Sequence, residues 1–333
     1  MASGSNSSNP QVLRIVGRSN GVGLDRDAAL VQESVSADIW TERHPLWSTL
    51  PVQESVMSTL LPRGSDIRLV SVFLERMPAL WKYCRGLKLL IPNQERFPER
   101  HLGRLQQVDG VLCKSRHAEQ VFRKYTDRVS YIGFTSVDRS IAGIEPDYSK
   151  ILHVAGRSTM KGTERIIDLW RQNPSWPMLT IVQHPDNASG PVPANVQRIV
   201  EYMSDDELRR LQNEHGIHLC PSEAEGWGHY IVEAMSCRAA VITTDGPPMN
   251  ELIDSSRGFL LPWNRSSPRH LGTCYYFDEE KLSGLIESLH SGGIDDIQQR
   301  GLRAREWYLA NDAEFKFRMQ AAIETLTIQS KAA

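Results

Sequence analysis

The chain has 333 residues, 40% of them hydrophobic and 23% charged, with a formal net charge of −2. That length suits two domains, each able to bury a core, and the composition excludes a disordered or collagen-like chain. No run approaches the ~18 apolar residues of a membrane span, and charge is only mildly uneven, with 20 Lys/Arg against 16 Asp/Glu in residues 1–150 and 18 against 24 in the rest.

The opening "MASGSNSSNP" is polar and small and has no signal-peptide core, so residues 1–10 are read as a disordered leader. "QVLRIVG" then predicts a strand, "GRSNGVGL" a glycine-rich turn holding Gly21 and Gly23, and "DRDAALVQESV" a helix. Asp25-Arg26-Asp27 spells a DxD, a spacing that can bind a divalent metal where it directly follows an apolar strand. Here it opens a helix instead of ending a strand, where Asp is a natural first-turn residue, and no metal is expected.

"IRLVSVFL", "LKLLIPN" and "DGVLCKS" follow as strands, each succeeded by helical material. "LIPNQERFPERH" offers Asn93 and Glu95 at a strand's carboxyl end. Arg76, Lys82, Arg85, Lys88, Arg96, Arg100 and Arg104 alternate with Trp81, Tyr83 and Phe97. That run would suit an anionic partner such as a lipid phosphate or a nucleic acid, or is simply a solvated face. His101 and His117 fall in helical stretches and read as structural.

The rhythm restarts after "IAGIEPDYSK": strand "KILHVAGR", helix "KGTERIIDLWRQ", strand "MLTIVQ", helix "DDELRRLQNEH", strand "IHLCPS", helix "YIVEAMSCR" and strand "AAVITTD". Strands alternating with helices imply parallel sheets with right-handed crossovers. Two such series predict an α/β chain with Rossmann-like domains over 11–145 and 146–310, facing across a cleft, and a C-terminal helix over 311–333. Cys84, Cys113, Cys220, Cys237 and Cys274 form no CxxC pair, which suits buried thiols in a reducing, cytoplasmic setting, at most peripheral to a membrane.

Ligands of open α/β sheets bind outside the carboxyl ends of the strands. "SEAEGWGHYIVEAM" lies there. Gly226 and Gly228 allow close backbone approach, and the helix starting near His229 presents unpaired N–H groups, together a phosphate seat. Glu225 and Glu233 flank that seat, so they could grip hydroxyls on either side of a diphosphate. The helix dipole and a solvated face would also account for two such glutamates. Arg157 and Lys161, after the first strand of the second series, could neutralise a diphosphate.

Arg157, Lys161-Gly162, "MSDDELRRL", "LCPSEAEGWGHYIVEAMSCRAAVITTDGPPMNELI" and "RGFLLP" resemble the carboxyl-terminal domain of family 4 glycosyltransferases, retaining enzymes of the GT-B fold. The EX7E element from Glu225 to Glu233 is the most specific part, and residues 11–140 resemble the family more weakly. The resemblance implies a nucleoside-diphosphate-sugar donor, no cofactor and no metal. It assigns Glu225 to donor-sugar hydroxyls, Glu233 to the ribose, and Arg157 and Lys161 to the diphosphate. The amides around Trp227, Gly228 and His229 would assist, with Gly226 and Tyr230 in the same pocket. Met203 would lie near the base, Gly21 and Gly23 in the acceptor-side glycine loop, and Asn93 and Glu95 toward the acceptor. Two departures stand out. The family commonly has a proline near Tyr230, and its two cations are often further apart.

The implied reaction is sugar transfer with retention, in which the leaving phosphate itself deprotonates the acceptor hydroxyl. An anionic acceptor, a nucleotide-sugar epimerase and a non-catalytic nucleotide-sugar binder are the alternatives. Donor sugar, nucleobase, acceptor and oligomeric state are not written in these residues.

Overall fold

The computed structural model describes residues 11–17, 23–35, 39–45, 68–77, 81, 84 and 86–332. The chain forms two compact units, one running up to Phe134 and resuming from Ala313, the other covering Thr135–Asp312. The second unit thus starts earlier than the expected 145/146 boundary. Residues 135–141 lack periodicity but are anchored in it: buried Arg139 donates twice to the Asp205 carboxylate at 2.7 and 2.8 Å and to Gln212 at 2.8 Å.

In the first unit β1 (Gln11–Gly17), β2 (Ile39–Pro45), β3 (Arg68–Glu75), β4 (Leu87–Pro92), β5 (Gly110–Cys113) and β6 (Val129–Tyr131) form one sheet in the order β2-β1-β3-β4-β5-β6. Every pairing in it is parallel. Its described helices are α1 (Gly23–Glu33), α2 (Leu102–Leu105) and α3 (Arg116–Phe122). The strands read as near-continuous apolar runs because a parallel sheet is covered on both faces; Leu89, Leu90 and Ile91 are fully buried.

The second unit repeats the plan with β7 (Asp147–Gly156), β8 (Leu179–Gln183), β9 (Val196–Ile199), β10 (His215–Cys220), β11 (Ala240–Thr244) and β12 (Gly258–Leu261), ordered β12-β11-β10-β7-β8-β9. All five pairings are again parallel. Helices α4 (Thr163–Gln172), α5 (Asp205–Glu214), α6 (His229–Ser236), α7 (Met249–Leu252) and α8 (Glu279–Ser291) complete it. Their starts follow local chemistry. Ser204 and Glu207 make a reciprocal capping box before α5, and Asp278 accepts from the Glu280 and Lys281 amides before α8. In α4, Ile166, Ile167, Leu169 and Trp170 share the buried stripe, and Trp170 meets Trp176 edge-on at 4.8 Å.

An antiparallel hairpin not anticipated from the sequence, β13 (Trp263–Arg269) and β14 (Gly272–Phe277), follows β12. The last helix, α9 (Ile294–Ala332), is longer than the expected 311–333. Its early part belongs to the second unit, where Arg305 holds Asp138 in a double hydrogen bond. Its later part belongs to the first, where Phe315 packs on Phe134 at 4.8 Å. All five cysteines are buried, and no described helix is long and apolar enough to cross a membrane.

Candidate functional site

In the second unit the strand order reverses between β7 and β10, so the crevice outside their carboxyl ends is a topological switch point. The loops 157–162 and 221–228 leave those two strands, and the 245–248 loop leaves β11 beside them. Two glycines shape the loops. Gly228, at φ 108°, precedes α6 in a conformation that L side chains rarely adopt, and Gly162, at φ 65°, precedes α4. A Cβ on Gly162 would lie 2.7 Å from the Phe277 ring.

Lys161, Ser222, Glu225 and Tyr230 converge here. The Lys161 ammonium lies 3.7 Å from the centre of the Tyr230 ring and donates to the Val154 carbonyl oxygen at 2.8 Å. The Ser222 hydroxyl donates to Glu225 Oε1 at 2.6 Å and lies 2.6 Å from the Tyr230 hydroxyl. Burial drives the Cys220 thiol, at the end of β10, far up, and the charges it feels are Lys161, Glu225 and Glu233. Contacts thus link Lys161, Tyr230, Ser222 and Glu225 at the ends of β7 and β10. Glu233 is 4% exposed within α6.

The rest of the predicted donor set is distributed around this group. Gly226, Trp227 and Gly228 are buried in the turn, and His229 opens α6 with its Nδ1 2.9 Å from the Ser136 hydroxyl. Arg157 is placed differently from Lys161. Its side chain, 67% exposed, rests on Asp186 at 3.4 Å and His184 at 3.1 Å, both beyond β8. Met203 is partly buried directly before the capping box of α5.

Several supporting residues escaped sequence reading. Ser222 opens the "SEAEGWGHYIVEAM" stretch with no role assigned to it, and its contribution shows only once Tyr230, eight residues away, folds back onto it. His153 is fully buried and bonds the Leu219 carbonyl at 2.7 Å and the Thr163 hydroxyl at 2.9 Å. Glu223 is pinned through its backbone, donating to Met160 at 2.9 Å and accepting from Tyr275 of the hairpin at 2.7 Å. Burial raises its carboxyl pKa against the pull of Arg165, Arg265 and Arg269.

In the first unit, Gly23 is the first residue of α1, and Gly21 lies outside the described residues. Asn93 and Glu95 follow β4, with Glu95 buried in a short 3-10 turn. Asp27 is buried against Lys114 at 2.5 Å, so its carboxylate serves an ion pair. Among the described residues no group of three or more His, Cys, Asp or Glu side chains could hold a metal ion. Of the basic run, Arg104 donates to the Met77 carbonyl oxygen and Arg76 pairs with Glu75, whereas Lys82 and Arg85 lie outside the described residues.

Residues 192–269, which hold both glutamates and the hairpin's first strand, match the family model for glycosyl transferases group 1. No curated protein matches the chain. Among solved structures, Anabaena HepE in complex with UDP-glucose aligns with a TM-score of 0.66 at 12% identity, covering 95% of this chain and 99% of that one. An E. coli structure described as trehalose-6-phosphate bound with UDP-2-fluoro glucose aligns at 0.65 and 9% identity, with the same coverage. The GtfA/B complex aligns at 0.56 and 16% identity over 85% of this chain, which spans 60% of that longer one.

These similarities define the class: the chain has the GT-B fold of glycosyltransferases, with two Rossmann-like units. More particularly, the span similar to the glycosyl transferases group 1 model includes β10 and the loop that leaves it at the switch point.

Proposed function

We propose that the protein is a retaining, metal-independent glycosyltransferase of family 4 that moves a sugar from a nucleoside diphosphate to an acceptor hydroxyl. The observation that carries this reading is the convergence of Lys161, Tyr230, Ser222 and Glu225 at the amino terminus of α6, the helix in which Glu233 is buried. Lys161 and the first amides of α6 face the charge that grows on a departing diphosphate. Glu225 holds hydroxyls of the transferred sugar and Glu233 those of the ribose. Arg157 is the second cation, and reaching the diphosphate requires it to leave Asp186. A surface pair of that exposure contributes little and is readily given up.

With cations and a helix terminus accepting the charge, no protein base is needed, because a leaving phosphate oxygen takes the proton of the incoming hydroxyl on the same face. UDP-glucose is the first donor to try, since HepE, which shares the fold, was crystallised with it. The test is to follow the anomeric proton of an α-linked UDP-hexose by NMR while the protein turns it over, with EDTA present. Release of UDP with first formation of the α-configured product supports the proposal. A β-configured product, or turnover that needs a divalent cation, rules it out.

A further inference from the structure

We propose that Tyr230 and Ser222 are positioning residues that set the Glu225 carboxylate and the Lys161 ammonium as one unit, so that the grip on the sugar and the neutralisation of the diphosphate are coupled. This rests on the donor-site reading above and adds to it the device that orients the site.

A serine hydroxyl has one proton. With its oxygen 2.6 Å from the Glu225 carboxylate, Ser222 gives that proton to the charged acceptor. The Tyr230 hydroxyl, also 2.6 Å from Ser222 Oγ, must then be the donor in that contact. Burial pushes the Tyr230 phenol well above its usual range, so it keeps the proton it donates. The resulting relay runs Tyr230 O–H to Ser222 Oγ–H to Glu225 Oε1. The opposite side of the device is the ring. Lys161 sits on its face at 3.7 Å and is held from behind by the Val154 carbonyl oxygen.

Each member is fixed by a different element. Val154 belongs to β7, Ser222 follows β10 and is fully buried, and Tyr230 lies in the first turn of α6. Tyrosine is the one side chain that offers both a π-face to an ammonium and a phenolic donor to a serine. A shift of its ring therefore moves the cation and the carboxylate together.

The experiment compares the affinities of UDP and UDP-glucose for the full chain and for Ser222→Ala, Ser222→Thr, Tyr230→Phe and Tyr230→Leu. Tyr230→Phe keeps the π-face and loses the donor. It and Ser222→Ala should lose about tenfold for UDP-glucose and less than twofold for UDP, the scale of one hydrogen bond to a charged group. Ser222→Thr keeps the hydroxyl and should restore binding, and Tyr230→Leu should weaken both ligands. Equal losses for the two ligands in Tyr230→Phe, or none, would overturn the relay, and a loss in Tyr230→Leu confined to one ligand would overturn the coupling. If the unaltered protein binds neither nucleotide, the donor reading fails, and crystal structures of Ser222→Ala and Tyr230→Phe decide the relay by themselves. A Glu225 carboxylate that reorients in both sustains it, and one that stays in place refutes it.

Discussion

His153 Nδ1 lies 2.7 Å from the carbonyl oxygen of Leu219, joining by a side chain the two strands that flank the switch point. Its other nitrogen meets the Thr163 hydroxyl at the start of α4 at 2.9 Å. Burial lowers its pKa to about 4 and keeps the imidazole neutral near pH 7, so that with Nδ1–H donating to the carbonyl, Nε2 is left to accept from threonine. The contact with Leu219 ties together the two strands whose ends lead into the Lys161 and Ser222 loops.

Acid stability should report this directly. Burial lowers His153 from 6.5 to about 4 and His218 from 6.5 to about 3. A base held neutral in the fold takes up its proton on unfolding, so its contribution is present above pH 6.5 and is lost as the pH falls toward the folded values. His153 alone accounts for a loss on the order of 3 kcal/mol across that window. Urea unfolding from pH 7 to 4.5 should show stability falling with a slope near two protons from these groups, reduced by one in His218→Gln. A flat profile would mean that the histidines are solvated.

Lys114 and Asp27 form a buried ion pair in the first unit, each side chain 3% exposed. Removing one partner strands a charge, so Asp27→Asn or Lys114→Met should cost about 3–5 kcal/mol. The double variant Asp27→Leu/Lys114→Met should recover much of that loss. Chemical denaturation measures all three. Equal stability of the single variants and the parent would return Asp27 to the role of a candidate metal ligand.

Gly162→Ala combines a left-handed backbone with a 2.7 Å approach to the Phe277 ring. The substitution should cost about 1–3 kcal/mol and lower the melting temperature. The same change at Gly23, whose added Cβ meets nothing within 4 Å, should be close to neutral.

The two cations should differ. Lys161 is already set at the strand end beside Tyr230, whereas Arg157 rests on Asp186. Lys161→Ala is expected to weaken nucleoside-diphosphate binding about 100-fold and Arg157→Ala about tenfold, the range of charge-assisted hydrogen bonds. Calorimetric titration with UDP checks the order, and a larger loss at Arg157 would reverse the assignment.

Much of the fold was legible because buried parallel strands and amphipathic helices write their period into the chain. "KILHVAGR", "IHLCPS" and "AAVITTD" all lie on β7, β10 and β11. The hairpin was not legible. "WNRSSPR" barely alternates and stays largely exposed, and its two-residue turn uses His270 at φ 52° in place of an Asn-Gly signal. Nor was the early start of the second unit, since Arg139 finds Asp205 and Gln212 more than sixty residues away. Glu225, Glu233 and Lys161 could be selected by motif, but the contacts of Lys161 with Tyr230 and of Ser222 with Glu225 depend on a strand order that no local pattern encodes. The role of Ser222 became visible only through its contacts with Glu225 and Tyr230.

The central claim is that this crevice binds a nucleoside-diphosphate sugar through the EX7E carboxylates, and thermal unfolding with a panel of such donors tests it most directly. At about 100 times its Kd, a bound donor stabilises the fold by about 2.7 kcal/mol, a shift of roughly 4 °C for a chain of this size. The account predicts that shift for at least one donor, equally with EDTA, and its absence in Glu233→Ala. A melting temperature unmoved by every donor, or moved as much in Glu233→Ala, would contradict it.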